Sequence, residues 1–584
     1  MSNYNPPLRD MQFIIEEWLE APLDWAGWER HSDLDAELAR QVLDEAGKFA
    51  RNELAPLNAR GDAEGCRFDN GTVTTPTGFA QSYSRYVESG WPSLCCAEED
   101  GGQGLPQLLN VALLEMLASA NHAWAMYPGI AQGAYECLSE LAEPWLKERY
   151  LPLIVSGEAL ATMCITEPQA GSDIGLIRMR AEPEPGGSYR LDGNKIFISG
   201  GEQDMTGNIL HLVLARLPDA PPGSRGLSLF LVPKWLEQDG EREHNGVHCT
   251  GIEHKMGIRG SATCSLSFEG ATGWLVGEPH TGLKAMFVMM NSARLHVGLQ
   301  GLGHAEKALQ AATGYAAERR QMRAVSRPAG VEPATVDPIG YHAPVRHTLL
   351  ELRAVTEGMR ALGYWTAHML DAMHQAGEGM DAPLKQRVAL LTPVIKAFFS
   401  EQGFSLSSKS LQMFGGYGYM NEYGIEQTLR DSRIVMIYEG TNEIQANDLL
   451  RKVLADGGQG LRELLALVRD EGRCLASSFP AYADRLDTLC DAQDEVMGML
   501  VDHQDAEYPY RAAGNFLRLT GLLLLAYTWA RTVPKCVDRK DAFYREKLDT
   551  ADFFFNYLLP EYRYRVDLIK AAASPMPFVG PEER

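Results

Sequence analysis

Arg430-Asp431-Ser432-Arg433-Ile434-Val435-Met436-Ile437-Tyr438-Glu439-Gly440-Thr441-Asn442-Glu443-Ile444-Gln445 is the stretch on which the reading of this chain turns. At its centre a carboxylate is followed by a glycine and a hydroxyl. The four apolar residues Ile434 to Ile437 lead into it and are expected to lift Glu439 into a drier place. Burial disfavours the charged form of a carboxyl and raises its pKa, which suits a proton abstractor near neutral pH. Gly440 has no Cβ, so the backbone there can approach a ligand closely. The same residues also fit a helix start that carries ordinary surface acids.

Working outward, the stretch belongs to the last of four long segments of helical period, 283–322, 345–374, 384–414 and 425–456. Four such segments predict an antiparallel bundle. The connector 324–340 is broken by Pro328, Pro333 and Pro338. Upstream the period changes to two. Leu210, Leu212 and Leu214 alternate with their neighbours, as do Leu227, Leu229 and Leu231, and Cys264-Ser265-Leu266-Ser267-Phe268. Such runs read as strands, with Pro218–Gly223 as a hairpin connector. Before them come helical runs at 11–20, 34–54 and 106–156, the second ended by Ala55-Pro56-Leu57-Asn58. Further helical stretches follow Gly457-Gly458-Gln459-Gly460, at 461–476, 484–501, 511–531 and 541–559, with packing or subunit contact as their default role. The expected organisation is mainly α with a central β domain. It runs as an N-terminal helical domain (1–158), a small β domain (159–276), a four-helix bundle (277–456) and a helical C-terminal extension (457–584).

Composition narrows the function. A chain of 584 residues exceeds a single core. Its net charge of −23 argues against nucleic acid or an anionic membrane as the main partner. Met1 to Asp10 shows no basic run followed by an apolar core, and no apolar run nears the roughly 20 residues of a membrane span. A cytoplasmic protein without an integral membrane segment is expected. The ten cysteines include no Cys-x-x-Cys, and reduced thiols are the simplest account. His244, His248 and Cys249 flank a turn pair and lack a second ligand pair, so a polar loop is preferred over a metal site.

Three other places carry chemistry. Thr166-Glu167-Pro168-Gln169-Ala170-Gly171-Ser172-Asp173 lies where helix gives way to strand, and its hydroxyls and free N–H groups suit a planar polar ring or an anion. Any turn before a sheet resembles it. Gln412-Met413-Phe414-Gly415-Gly416-Tyr417-Gly418 ends a helix without opening a βαβ unit, so its glycines serve either a pyrophosphate or a helix cap. Arg294 and Arg319 are lone helix arginines, a type more often solvated or ion-paired than bound to phosphate.

Taken in order, these segments resemble the acyl-CoA dehydrogenase family, from about residue 80 to 456. Thr166-Glu167-Pro168-x-Ala170-Gly171-Ser172-Asp173 matches its first signature and Ile437-Tyr438-Glu439-Gly440-Thr441 its last. Asn194-Lys195-Ile196-Phe197-Ile198-Ser199 resembles its flavin-side strand, and Tyr315 to Gln321 the segment whose Arg reaches the FAD of a neighbouring subunit. The length, the opening Pro7-Leu8-Arg9-Asp10 and the helical tail are similar to a long bacterial subgroup that includes 3-methylmercaptopropionyl-CoA and fatty-acyl-CoA dehydrogenases.

The resemblance implies helical domain, β domain and four-helix bundle, and an FAD-dependent oxidation of an acyl-CoA thioester to the trans-2-enoyl-CoA in fatty-acid β-oxidation. Glu439 would remove the α-proton, flavin N5 would take the β-hydride, and an electron-transfer flavoprotein would receive the electrons. A ribityl hydroxyl of FAD and the N–H of Glu439 would polarise the thioester oxygen, each donor contributing about 3–4 kcal/mol. Some relatives carry their base just before the CoA-binding Arg; here that position is Ala293, which leaves Glu439.

By the same mapping Ile165, Thr166, Phe197 and Ser199 would hold the flavin ring. Ser172 would touch cofactor and CoA, while Asn291, Arg294 and Gly440 would meet the substrate. Arg319, Gln321, Gln412, Gly415, Gly416, Thr441 and Glu443 would line the FAD tail, shared across a homodimer interface. Ala97 and Asp100 depart from the family pattern beside the acyl pocket, as do Met322 and Arg323 near the FAD tail. Two competing readings share these residues: an acyl-CoA oxidase using O₂, and a flavoprotein of the same fold that binds nucleic acid.

Overall fold

The computed structural model describes residues 4–238, 240–377 and 382–580. The period-two runs build a seven-stranded sheet. Its spatial order is Val247–Ile252, Thr263–Val276, Tyr189–Ser199, Arg180–Pro183, Asn208–Arg216 and Ala159–Cys164. Leu227–Pro233 pairs with both Thr263–Val276 and Asn208–Arg216, which bends the sheet back on itself. Ala159–Cys164 and Asn208–Arg216 run parallel and are almost wholly buried, as strands covered on both faces should be. Residues 218–223 connect an antiparallel pair, as expected, with Arg216 opposite Leu227.

Helices surround the sheet on both sides in sequence. In the N-terminal part, Pro56 does not end a helix but opens one, Ala55–Glu64. Its missing N–H lies where the first turn would leave that donor unpaired in any case. The single run expected at 106–156 is two helices, Gln107–Leu141 and Pro144–Val155. The first is kinked at Asn121 (φ −157°, ψ 89°), whose Oδ1 accepts from the N–H of Trp124 at 3.1 Å. Asn121 thus caps the second half of its own helix.

Gly282–Glu318, Ala343–Ala376 and Ala382–Met413 form the long helices of the bundle. Gly301 lets two of them touch backbone to backbone, because a Cβ there would lie 2.5 Å from the Phe399 carbonyl oxygen. The fourth expected segment, 425–456, is not continuous. It comprises Ile425–Ser432, a 3₁₀ turn Arg433–Met436, a loop at 437–441, and Asn442–Ala455. The break follows from Glu439 and Gly440, both at positive φ (56° and 86°), and the helix restarts with Thr441 accepting from the N–H of Ile444.

Gln459–Leu475, Pro480–Asp502, Tyr508–Cys536, Ala542–Phe553 and Glu561–Ala571 follow. Tyr508–Cys536 lies against the bundle and the amino-terminal helices: Trp529 Nε1 donates to Ala354 O at 3.0 Å and Trp18 Nε1 to Thr528 O at 3.3 Å. All ten cysteines are free thiols. Among the described residues no His/Cys/Asp/Glu cluster could hold a metal, and no helix is long and apolar enough to cross a membrane.

Candidate active site

The loop carrying Glu439 is held from both sides. Ahead of it, Arg430 grips Asp62 (2.6 and 2.9 Å) and Glu426, and Asp431 Oδ1 accepts from the N–H of Ile258 at 2.6 Å. Behind it, Gln445, fully buried, donates from Nε2 to the Glu439 carbonyl at 3.0 Å. Gly440 is required twice over: its φ of 86° is costly for any other residue, and an added Cβ would meet Gln445 Nε2 at 2.8 Å. Glu439 itself bears the strain of a left-handed backbone, a feature that clusters at functional sites.

The Glu439 carboxyl is pushed up to about 7, because burial penalises its charge more than Lys396 and Arg294 stabilise it. Of the four apolar residues expected to shield it, only Val435 is buried, and Ile437 is exposed. The two cations that favour the charged form of Glu439 sit on neighbouring bundle helices, Arg294 on Gly282–Glu318 and Lys396 on Ala382–Met413. Arg294 is buried, with its guanidinium 3.2 Å from Asp448 and over the Phe287 ring; its Nε has no partner. The side chain of Asn291, one turn before it, lies outside the described residues.

Tyr438, next to the base, anchors a buried polar chain. Its hydroxyl contacts Gln300 Oε1 and lies 3.1 Å from His122 Nε2, and His122 Nδ1 lies 2.9 Å from His304 Nε2. Burial pushes His122 down to about 4 and His304 well below its ordinary value, so both are neutral at pH 7. A single direction satisfies the chain: His304 donates to His122, His122 to Tyr438, and Tyr438 to Gln300. The unpaired atom is then a His304 Nδ1 lone pair rather than an orphaned N–H.

The sequence-derived residues fall into two further groups. Thr166 O accepts from the N–H of Ile196 at 2.9 Å, and buried Lys195 donates to Ile165 O and Glu167 Oε1, both at 2.9 Å. Those bonds set Ile165 and Thr166 beside Phe197 and Ser199. Phe197 stands at φ 59° with 59% of its surface exposed, flanked by half-buried Thr166 and Ser199. An uncovered aromatic ring beside hydroxyls suits a flat heteroaromatic partner. Ser172 is exposed on the turn after Glu167.

The second group is remote. Tyr315 stacks on Phe414 at 4.1 Å, and the Arg319 guanidinium lies over Tyr417 at 5.5 Å, beside exposed Gln412, Gly415 and Gly416. Gln321 is exposed nearby, its N–H on Asp337 O. Arg319 sits roughly 25 residues beyond Arg294 at the end of the same helix, about 37 Å at 1.5 Å per residue. Thr441 and exposed Glu443 stay with the Glu439 loop, so the proposed tail contacts are split between distant ends of the bundle.

Sequence reasoning missed Lys396, Gln300, His122, Asn442 and Gln445. For Lys396 a signal existed: it is the sole charge between Ala389 and Phe399, and a helix that apolar all round is buried, its lysine included.

Comparison with known proteins gives the following. Family models described as acyl-CoA dehydrogenase N-terminal, middle and C-terminal domains match residues 36–158, 162–271 and 280–454, and one described as acetyl-CoA dehydrogenase C-terminal like matches 461–577. The chain is 40% identical to 3-methylmercaptopropionyl-CoA dehydrogenase of Ruegeria pomeroyi, with 96% of both chains covered. It is 35% identical to the broad-specificity linear acyl-CoA dehydrogenase FadE5 of Mycobacterium tuberculosis, again over 96% of each. In fold it is similar to the Bacillus anthracis acyl-CoA dehydrogenase complexed with FAD, with a TM-score of 0.76 at 22% identity over 93% of this chain and 90% of that one.

Proposed function

Because this chain belongs to the acyl-CoA dehydrogenase family, we propose that it desaturates an acyl-CoA thioester between Cα and Cβ, with Glu439 as the base. The observation that carries this reading is a strained, partly buried carboxyl pushed up to about 7 beside two cations. FAD, when bound, supplies the acceptor for the hydride that leaves Cβ. Its ring fits the exposed Phe197 face with Thr166 and Ser199 alongside. Its tail fits the Arg319 and Gln412–Gly416 surface, where added Cβ atoms at Gly415 and Gly416 would meet nothing within 4 Å.

The work of the protein is then to take one proton. Ionised Glu439 accepts the α-proton, and its own N–H is the donor placed to polarise the thioester oxygen. Lys396 and Arg294 keep the carboxylate accessible near neutral pH despite its burial. Bound acyl chain displaces water from the loop and strengthens these interactions. The distance between the two tail-binding groups supports a cofactor shared between copies, and hence a homodimer. A cytoplasmic setting and an electron-transfer flavoprotein as acceptor complete the reading.

Anaerobic titration with butyryl-CoA, longer acyl-CoAs and 3-methylmercaptopropionyl-CoA tests it: at least one should bleach the flavin band with a 2-enoyl-CoA as product. No bleaching by any thioester would overturn it. Peroxide formed in air without an added acceptor would replace the flavoprotein acceptor by oxygen.

A further inference from the structure

The geometry points to Lys396 as a positioning residue for the Glu439 base: its buried ammonium clamps the Glu439–Gly440 loop and supplies the positive charge that keeps the carboxylate ionisable. This rests on the assignment of Glu439 as base.

Lys396 is fully buried on the helix Ala382–Met413, and its Nζ donates to Gly440 O at 2.7 Å and to Asn442 Oδ1 at 3.2 Å. Asn442 is itself fixed by Ser400 Oγ at 3.1 Å and by its own Nδ2 on Ala397 O at 3.2 Å. The loop is thereby tied to one helix below Gly440 and to Gln445 at the Glu439 carbonyl. Both ties bear on the two residues with left-handed backbone, the conformation that needs external support.

The charge argument is separate. A buried ammonium is costly unless it is compensated. Among the described residues, no carboxylate lies within ion-pair distance of Lys396, and both its acceptors are neutral. The charges it feels are Glu439 on the loop, Arg294 on Gly282–Glu318 and Glu443 on Asn442–Ala455. Burial pushes Lys396 down to about 7, and Glu439 is the main charge opposing that shift. Arg294, by contrast, is paired with Asp448, which also takes Lys452 at 3.1 Å. Of the two cations beside the base, Lys396 is the one without a carboxylate of its own. Its charge therefore acts on Glu439 through space, beyond ion-pair distance, while its hydrogen bonds go to the loop itself.

The test compares Lys396→Met and Lys396→Arg with the unaltered holoenzyme, reading the pH profile of flavin reduction by acyl-CoA. The protonated-carboxyl infrared band of Glu439, assigned by subtraction of Glu439→Gln, is followed alongside. Lys396→Met removes the charge and should move the pKa of Glu439 upward by about one to three units. At pH 7, where the unaltered carboxyl is about half ionised, the rate would fall roughly five- to five-hundredfold and recover with rising pH. Lys396→Arg keeps the charge and should leave the profile in place while slowing the reaction at every pH. Should Lys396→Met not fold, Lys396→Gln is read in the same way. An unshifted infrared titration with an unchanged profile in the neutral variant overturns the inference. A uniform loss at all pH values also overturns it, since that is what a merely structural lysine would give. If Glu439→Gln keeps its rate, it is the assignment of the base that has failed instead.

Discussion

At the residue scale, the site is a conflict between burial and charge at one carboxyl. Glu439→Gln removes the proton acceptor but little volume, so FAD should stay bound while reduction by acyl-CoA slows about 10²–10⁴-fold in stopped flow. Tyr438→Phe probes the neighbouring chain. It strips Gln300 and His122 of their common partner inside a buried setting, and should lower unfolding free energy by about 1–3 kcal/mol in urea titration. Glu439, Gly440 and Thr441 were singled out in the sequence by their match to the family's last signature, whereas helical spacing ran a single segment through them. For Lys396 the apolar run around it signalled burial, but its role was hidden because its partners arrive from more than forty positions away. The shielding was misassigned for the same reason: adjacency along the chain put Ile437 beside the base, whereas folding turned it outward.

At the scale of elements, long helices were read correctly where apolar period ran unbroken, and misread where a polar side chain or a positive φ intervened. Asn121 and the Glu439–Gly440 pair each interrupt a segment that hydrophobic spacing alone would continue. Interruption by a side-chain cap is a local hydrogen bond, invisible to periodicity. The helices are also joined by a buried ionic cluster. Arg360 reaches Glu115 (2.7 and 2.8 Å), Glu306 (2.5 Å) and Asp10, and Lys547 bonds Asp10 and Glu357. Removing one partner from such a cluster leaves uncompensated charge. Arg360→Met should therefore destabilise the protein by about 3–5 kcal/mol, measured from the denaturation midpoint.

At the scale of the whole molecule, that same cluster gives the C-terminal helices a structural purpose. Lys547 comes from the extension, Asp10 from the amino-terminal segment and Glu357 from the bundle, so three distant parts of the chain meet at one point. A chain ending at residue 456 would strand Asp10 and Glu357 and uncover the bundle face that Trp529 covers; it should be recovered only as aggregate, as size-exclusion chromatography would show. The central claim is that Glu439 takes the α-proton. Its most direct test is the pH dependence of flavin reduction by acyl-CoA, measured anaerobically for the unaltered enzyme and for Glu439→Gln. A carboxyl that loses its proton near pH 7 is inactive as a base below that value. The unaltered enzyme should therefore slow about tenfold per unit of pH below 7, and the variant should be slow and flat. A variant that reduces its flavin at the unaltered rate with the same pH dependence would contradict the account.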